Sequence, residues 1–129
     1  MTETLAATPA AAFPTDKVFG ALIQQESGGN GMAVSPAGAL GSTQMLPATA
    51  QEMARKLGLP FRPDLLRSNS PQGLQYQQQL GKAYFEEGLA KTGNVRDALR
   101  YYHGGPDRSM WGPKTNAYAN AVLSRVGGR

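Results

Sequence analysis

The sequence contains no cysteine and only one histidine, His103, among its 129 residues. The absence of cysteine excludes disulfide bonds, thiol nucleophiles and cysteine metal sites. A single histidine also makes a histidine-rich metal centre or a Ser-His-Asp triad hard to build. We therefore predict a protein that needs neither a metal ion nor another cofactor.

Long apolar runs are also missing. No stretch approaches the roughly 20 apolar residues that a membrane-spanning helix needs, so no transmembrane segment is predicted. The first residues, MTETLAATPAAAFPTD, lack the basic start and the solid apolar core of a secretory signal. If the substrate lies outside the cytoplasm, we expect another factor to deliver the protein.

The composition indicates one globular domain, with 40% hydrophobic and 17% charged residues. The formal charge of +4 weakly favours an anionic partner such as cell wall, nucleic acid or a membrane surface. No specific nucleic acid is predicted. We expect a loose leader at residues 1–15, the domain at residues 16–126, and a tail or the start of a linker at residues 127–129.

Prolines, capping residues and glycines predict where helices begin and end. Thr15 or Asp16 is expected to cap the first helix and Asn94 the fourth, and HGGPD at 103–107 reads as a turn. We expect five helices, at about residues 17–27, 47–57, 71–91, 95–102 and 113–126. Strand-like alternation is scarce. The fold class is therefore predicted as mainly α, a single helical domain with a cleft and at most a small β element.

Glu26 is followed by no other acidic residue until Glu52. It lies seven residues after Phe19, and hence on the apolar face of the first helix. A carboxylate there is either buried at a cost or lines a cleft, although most glutamates near helix ends are simply solvated. In a partly apolar cleft a glutamate can hold a proton near neutral pH and deliver it to a glycosidic oxygen.

A second carboxylate usually completes a glycosidase site, although substrate-assisted enzymes are exceptions. Asp64, Asp97 and Asp107 are the acids that could fold into such a cleft. The sequence alone leaves open whether one of them does.

Three blocks of the sequence resemble the soluble lytic transglycosylases, the SLT domain of the lysozyme-like superfamily. The first is ESGGNGMAVSPAGALGSTQMLPATA, residues 26–50. The second is ALRYYHGGP, residues 98–106, which is similar to the family's A-L-x-A-Y-N-x-G-P. The third and weakest is T-x-x-Y at residues 115–118. The resemblance covers roughly residues 16–126, and it implies a lysozyme-like α+β fold.

The resemblance implies cleavage of the β-1,4 bond between N-acetylmuramic acid and N-acetylglucosamine in peptidoglycan, without water. One glutamate, here Glu26, would act first as acid and then as base. The substrate's acetamido group would replace the second carboxylate. Substrate contacts are implied at seven further residues: Ser35, Gly41, Gln44, Leu46, Tyr102, His103 and Tyr118. Of these, Tyr102 would orient the catalytic carboxylate and Tyr118 would close the cleft.

Several residues depart from the family pattern. Ser42-Thr43 replaces the common Leu-Met, Leu46 replaces a frequent methionine, and Tyr101 replaces a small alanine. His103 replaces the asparagine that follows the tyrosine. We expect this histidine to make activity depend on pH.

The biological setting is inferred by analogy. SLT domains that lack a signal peptide occur in phage particles, and we expect this chain in a virion, or in the periplasm after delivery. Its partners would be peptidoglycan strands and other virion or ejection proteins, with a secretion system as the alternative setting. Two other functions stay open: a hydrolytic lysozyme on the same fold, and an inactive module that binds cell wall or DNA.

Overall fold

The computed structural model describes residues 14–127. Most of the predicted leader at residues 1–15, and the end of the predicted tail at residues 127–129, lie outside this range. The described residues hold six α-helices and one short 3-10 helix, η1. Their bounds are α1 Thr15–Ser27, α2 Pro47–Leu57, α3 Pro63–Leu66, α4 Pro71–Thr92, α5 Val95–Gly104, η1 Arg108–Met110 and α6 Pro113–Val126. Their β structure consists of isolated bridges, so the mainly α prediction is confirmed.

Local sequence accounts for most of the helix ends. Four helices begin with proline, whose fixed φ suits the first helical position and whose missing N–H costs nothing there. Helix α2 ends at Gly58 in the left-handed conformation (φ 70°). The Gly58 N–H donates to Arg55 O (3.1 Å) and the Leu59 N–H donates to Ala54 O (2.9 Å), which satisfies two carbonyls of the last turn.

Some predicted boundaries were wrong. Helix α1 begins at Thr15, because the Pro14 carbonyl accepts the first helical hydrogen bond from Val18 N (3.0 Å), so Thr15 lies within the helix. Helix α5 runs to Gly104, two residues past the expected end, and the turn begins only at Gly105 (φ 89°). The sequence also gave no indication of α3 and η1.

The described chain divides into two compact units. The first holds the residues up to Leu22 and those from Phe85 onward, and the second holds Ile23–Tyr84. In the first unit the rings of Phe19 and Phe85 lie 6.5 Å apart, and α5 packs against α6. Its buried core includes Val95, Ala98, Leu99, Ala119 and Val122.

The second unit contains α2, α3, the first half of α4 and a loop at residues 28–46, which we call the 28–46 loop. Its core includes Met45, Ala50, Met53, Leu66 and Leu80. Within residues 14–127, no helix is both long enough and apolar enough to span a membrane.

Candidate active site

Glu26 lies in the last turn of α1 and is half-buried. Leu22 and Phe19, one and two turns earlier on the same helical face, are buried. Gly28 (φ 66°) and Gly29 (φ 89°) end the helix in the left-handed region that glycine enters without steric cost. The Glu26 carboxylate therefore lies where α1 ends and the loop at residues 28–46 begins.

Ser27 ties this helix end to the loop. Its hydroxyl donates to Ser42 O (2.6 Å) and lies 3.3 Å from Ile23 O, and it accepts a hydrogen bond from Gly29 N (3.0 Å). The residue next to Glu26 is thus fixed both to the last turn of α1 and to the far side of the loop.

Ser35 closes a tight turn within the loop. Its backbone N–H donates to Ala39 O (3.0 Å), and its side-chain Oγ accepts a hydrogen bond from Ala39 N (3.0 Å). Antiparallel bridges join Val34 to Leu40 and Leu40 to Met45. The loop is therefore a folded hairpin-like element with its own hydrogen bonds.

Gln44 is the non-glycine residue with a positive φ (52°) in the described chain. Its Nε2 donates to Gly41 O (2.9 Å) and Ala33 O (3.2 Å), so the side chain braces the strained turn that it occupies. Backbone conformations of this kind are retained where the surroundings enforce them, often at functional sites. The amide oxygen, Oε1, is the atom of this side chain that could accept a hydrogen bond from a ligand.

Gly41 and Leu46 have contrasting surroundings. Gly41 is buried, and a Cβ at this position would lie 2.4 Å from Leu66 O and 2.8 Å from the Gln77 side chain. Leu46 precedes α2 and is 47% exposed. Close packing against α3 and α4 accounts for glycine at 41, whereas Leu46 presents an apolar side chain to solvent.

The remaining three candidate residues belong to the other unit. Tyr102 lies in α5 and Tyr118 in α6, and both are buried. The His103 ring stacks on Tyr118 with 4.6 Å between centroids and 25° between planes. Its Nδ1 lies 3.4 Å from Thr115 Oγ1. The structure thus brings His103 and Tyr118 into direct contact.

Burial lowers the pKa of His103 below its ordinary value of about 6.5. The residue as a whole is exposed, but one face of its ring is covered by Tyr118. The covered face loses hydration, which disfavours the protonated imidazolium.

Gln77 is a buried polar residue that the sequence analysis did not single out. It lies on α4, is 1% exposed, and bonds to the loop through Ser42. It stands within a run of glutamines, QYQQQ, where an amide is usually solvent-exposed. Its spacing from Gly73 and Leu80, four and three residues along α4, is the signal that could have placed it on the buried face.

The three candidate second carboxylates are engaged elsewhere. Asp64 pairs with Arg62 (2.8 Å), and Asp97 pairs with Arg100 (2.5 Å). Asp107 caps η1 by accepting from the Ser109 N–H (2.9 Å). Hydrogen bonds from Arg62 and Ser109 lower the pKa of Asp64 and Asp107. At Asp97 burial raises the pKa, but hydrogen bonds and charge outweigh it and the net shift is downward.

Between residues 14 and 127, no group of three or more histidine or acidic side chains is arranged to hold a metal ion.

Comparison with known proteins places this geometry in a family. Residues 14–122 match the family model of the transglycosylase SLT domain. The transglycosylase of Enterobacteria phage PRD1 is 31% identical over 124 residues, which are 96% of this chain and 42% of that protein.

Two solved structures share the fold. The 70 kDa soluble lytic transglycosylase of Escherichia coli is 25% identical, with a TM-score of 0.69, over 85% of this chain and 21% of that one. The lytic transglycosylase Slt of Pseudomonas aeruginosa, solved as an inactive glutamate-to-glutamine variant, is 27% identical, with a TM-score of 0.67 and coverage of 85% and 20%. The chain spans less than half of the phage relative and about a fifth of these two enzymes.

The resemblance drawn from the three sequence blocks is thereby confirmed. Because the family model covers residues 14–122, the chain belongs to the transglycosylase SLT domain family.

Proposed function

We propose that this chain is the catalytic domain of a peptidoglycan lytic transglycosylase and that Glu26 is its acid/base. The observation that carries the proposal is a half-buried glutamate at the end of α1, followed by a firmly bonded loop, in a chain that belongs to the SLT domain family. A relative of similar fold is inactive as a glutamate-to-glutamine variant, which supports a mechanism that depends on a glutamate.

The reaction exchanges one C–O bond for another. Glu26 donates its proton to the oxygen that links N-acetylmuramic acid to N-acetylglucosamine, and the bond from that oxygen to muramoyl C1 breaks. The substrate's acetamido group stabilises the cationic C1. The muramoyl 6-hydroxyl then bonds to C1 and gives its proton back to the Glu26 carboxylate. The products are a free N-acetylglucosamine 4-hydroxyl and a 1,6-anhydro ring, and no water is consumed.

A single-carboxylate mechanism suits the observed distribution of acids. A hydrolase of the usual kind needs a second carboxylate near the reacting carbon. The three candidate acids already accept hydrogen bonds from arginine or serine side chains, namely Asp64, Asp97 and Asp107. These hydrogen bonds favour the ionised form of each carboxylate. None of the three is needed if the substrate supplies the stabilising group.

The other candidate residues are proposed to bind and position the glycan. The Ser35 hydroxyl, which accepts from Ala39 N, still has a proton to donate to a sugar oxygen, and Gln44 Oε1 can accept from a hydroxyl or acetamido N–H. Leu46 offers an apolar contact, and Gly41 lets the loop backbone pack closely.

Tyr102, His103 and Tyr118 are proposed to contribute from α5 and α6. Tyr102 would orient the Glu26 carboxylate. Tyr118 would hold the His103 ring stacked on it, and the open face of that ring would provide a flat surface for a sugar, which aromatic faces bind well.

Isotope labelling separates the proposed reaction from hydrolysis. Purified peptidoglycan is digested in water enriched in heavy oxygen, and the released muropeptides are analysed by mass spectrometry. A lytic transglycosylase gives 1,6-anhydro products that carry no label. A hydrolase gives reducing ends that carry one heavy oxygen, and such products would overturn the proposal. Complete absence of products would favour a binding module instead.

We also propose a virion setting, in which the enzyme opens the cell wall locally. The phage relative, 31% identical, supports this setting over a secretion system. The expected location is the particle, or the periplasm once delivered, with peptidoglycan and other virion proteins as partners. Mass spectrometry of purified particles from the source phage should detect the chain. Its absence from particles would refute the virion setting but leave the enzymatic proposal intact.

A further inference from the structure

We propose that Gln77 is the positioning residue that sets the geometry of Glu26. Gln77 lies on α4, outside the three sequence blocks that carry the family resemblance. This inference rests on the proposed function, because it assumes that Glu26 is the acid/base.

The Gln77 side chain uses both ends of its amide. Its Oε1 accepts hydrogen bonds from Ser42 N (2.7 Å) and Ser42 Oγ (2.7 Å). Its Nε2 lies within donating distance of three carbonyl oxygens, Leu65 O (2.9 Å), Ser68 O (3.0 Å) and Gly31 O (3.2 Å). One buried side chain therefore joins both ends of the 28–46 loop to the segment that connects α3 with α4.

The 28–46 loop packs closely against the Gln77 amide and the backbone beside it. A Cβ on Gly41 would lie 2.8 Å from Gln77, and a Cβ on Gly31 would lie 2.0 Å from Ser68 O. Two further bonds join the same segments: Ser68 N donates to Gly31 O (2.8 Å), and Gly31 N donates to Asn69 Oδ1 (2.7 Å). The loop position is thus set by Gln77 and by the backbone around it.

Two bonds connect Gln77 to the residue beside Glu26. Ser42, held by Gln77, accepts the hydrogen bond from Ser27 Oγ through its carbonyl oxygen (2.6 Å). Ser27 is the last residue of α1 and directly follows Glu26. A displacement of Ser42 would therefore be passed through Ser27 to the end of α1, where Glu26 lies.

This network also explains a departure from the family pattern. Ser42 and Thr43 stand where relatives commonly have Leu-Met, and both are buried. Ser42 supplies two donors to Gln77 Oε1, and Thr43 Oγ1 lies 3.3 Å from Gln77 O. Apolar side chains at 42 and 43 would remove the two hydroxyl hydrogen bonds, and Gln77 Oε1 would keep only the Ser42 N–H as a donor. Ser42, Thr43 and Gln77 therefore form one hydrogen-bonded group, which accounts for the polar residues at 42 and 43.

Replacement of the amide tests the proposal. Gln77→Met keeps the length of the side chain but removes every hydrogen bond that it makes. The matched control is Tyr76→Phe, in the adjacent residue of α4, whose hydroxyl donates to Pro60 O (2.8 Å) and accepts from Arg62 N (2.9 Å). Both variants lose buried bonds between α4 and a connecting segment, but only Gln77 is linked to Ser27.

The readout is kcat for muropeptide release, corrected for the folded fraction, alongside binding to insoluble peptidoglycan. We expect Gln77→Met to lower kcat by about ten-fold or more, since small misplacements of a catalytic group are costly. Its peptidoglycan binding should stay within about three-fold of wild type, because Gln77 is buried and binds no substrate. Tyr76→Phe should keep kcat within about two-fold. Equal kcat values for the two variants would refute the positioning role.

Gln77→Glu keeps the proposal testable if Gln77→Met does not fold. Its carboxylate can still accept from Ser42 but cannot donate to the three carbonyls, whereas its protonated form can donate to one of them. We expect its kcat relative to wild type to rise as the pH falls from about 7.5 to about 5. A constant ratio would contradict the proposal. Activity that survives in Glu26→Gln would instead refute the proposed function itself, whatever the Gln77 variants do.

Discussion

At the scale of single residues, the polar side chains of Ser27 and of the 28–46 loop mainly form hydrogen bonds with backbone groups. Ser27, Ser35 and Gln44 each bond to main-chain groups of the 28–46 loop. Because preorganised groups cost no rearrangement during the reaction, such bonding suits a loop that must meet a substrate in one geometry. Because of these bonds, the ligand contacts left to the two loop side chains are donation by the Ser35 hydroxyl and acceptance by Gln44 Oε1.

The His103 ring should make stability depend on pH. Its pKa is lower in the folded protein than in the unfolded chain, so its neutral form is favoured on folding. That contribution is present above about pH 6.5 and is lost as the pH falls through the folded pKa. We expect the Tm advantage of wild type over His103→Asn to shrink by about 1–2 °C between pH 7.5 and pH 5.

Thermal unfolding of the two proteins across this pH range measures the effect. The shift is small because part of the residue is open to solvent. His103→Asn also tests the activity prediction. An activity–pH profile of His103→Asn that matches that of wild type, together with a Tm difference that stays constant with pH, would exclude a role for His103 titration.

The place of Glu26 at the end of α1, before a loop, could be predicted from sequence, whereas the hydrogen bonds of Gln77 could not. Glu26 has a recognisable local pattern of serine, glycine and proline around it. The role of Gln77 arises from residues 35 and 46 positions away in the chain, Ser42 and Gly31. The spacing of Gln77 from Gly73 and Leu80 could indicate burial, but it does not identify partners so far away in the chain, and the glutamine run around Gln77 is typical of an exposed face.

At the scale of the elements, the boundaries that sequence predicted well are those set by proline and glycine. Helix α2 has its predicted bounds, and α4 begins at Pro71 and ends within one residue of the expected end. Helix α3 and η1 were missed because four- and three-residue helices are too short to show a periodicity. Helix α5 extends past its expected end because glycine at 104 is tolerated near a helix terminus.

Helix α4 contains a glycine whose absence of a side chain is required by packing. A Cβ on Gly88 would lie 2.8 Å from the Tyr101 ring on α5. We expect Gly88→Ala to destabilise the protein by about 1–3 kcal/mol, although alanine is the better helix former. Urea unfolding measures the change. Gly20→Ala, in α1 where no atom lies within 4 Å, is the control and should not be destabilising; equal effects would contradict this packing account.

Asn94 caps α5 through its side chain. Its Oδ1 accepts a hydrogen bond from Asp97 N (2.8 Å), which satisfies one of the free N–H groups of the first turn. We expect Asn94→Ala to cost about 1 kcal/mol in the free energy of unfolding, and Asn94→Asp to restore most of it. Calorimetry checks both values. An unchanged Tm in Asn94→Ala would mean that the cap contributes nothing.

At the scale of the whole molecule, one partly buried ion pair contributes to acid sensitivity. The Asp97 side chain is 19% exposed and lies 2.5 Å from Arg100 and 3.5 Å from Arg108. Its pKa is lowered on folding, so its contribution is present above about pH 4 and is lost as the pH falls further.

Asp97→Asn should therefore be less stable than wild type by about 1–2 kcal/mol at pH 7, and the difference should narrow at about pH 3. Urea unfolding at the two pH values measures this. Asp64→Asn is the control, since the Asp64 pair with Arg62 is exposed and contributes little. A difference that is the same at both pH values would contradict the role assigned to Asp97.

The central claim is that one carboxylate, Glu26, catalyses formation of a 1,6-anhydro product. The most direct measurement compares the muropeptides released from purified peptidoglycan by wild type, Glu26→Gln and Glu86→Gln. Glu86 is an exposed residue of α4, so its replacement makes the same charge change at a residue that is not assigned to the site. We expect 1,6-anhydromuramoyl products from wild type and Glu86→Gln, and a loss of at least about 100-fold with Glu26→Gln. Anhydro products from Glu26→Gln at the wild-type rate would contradict the account.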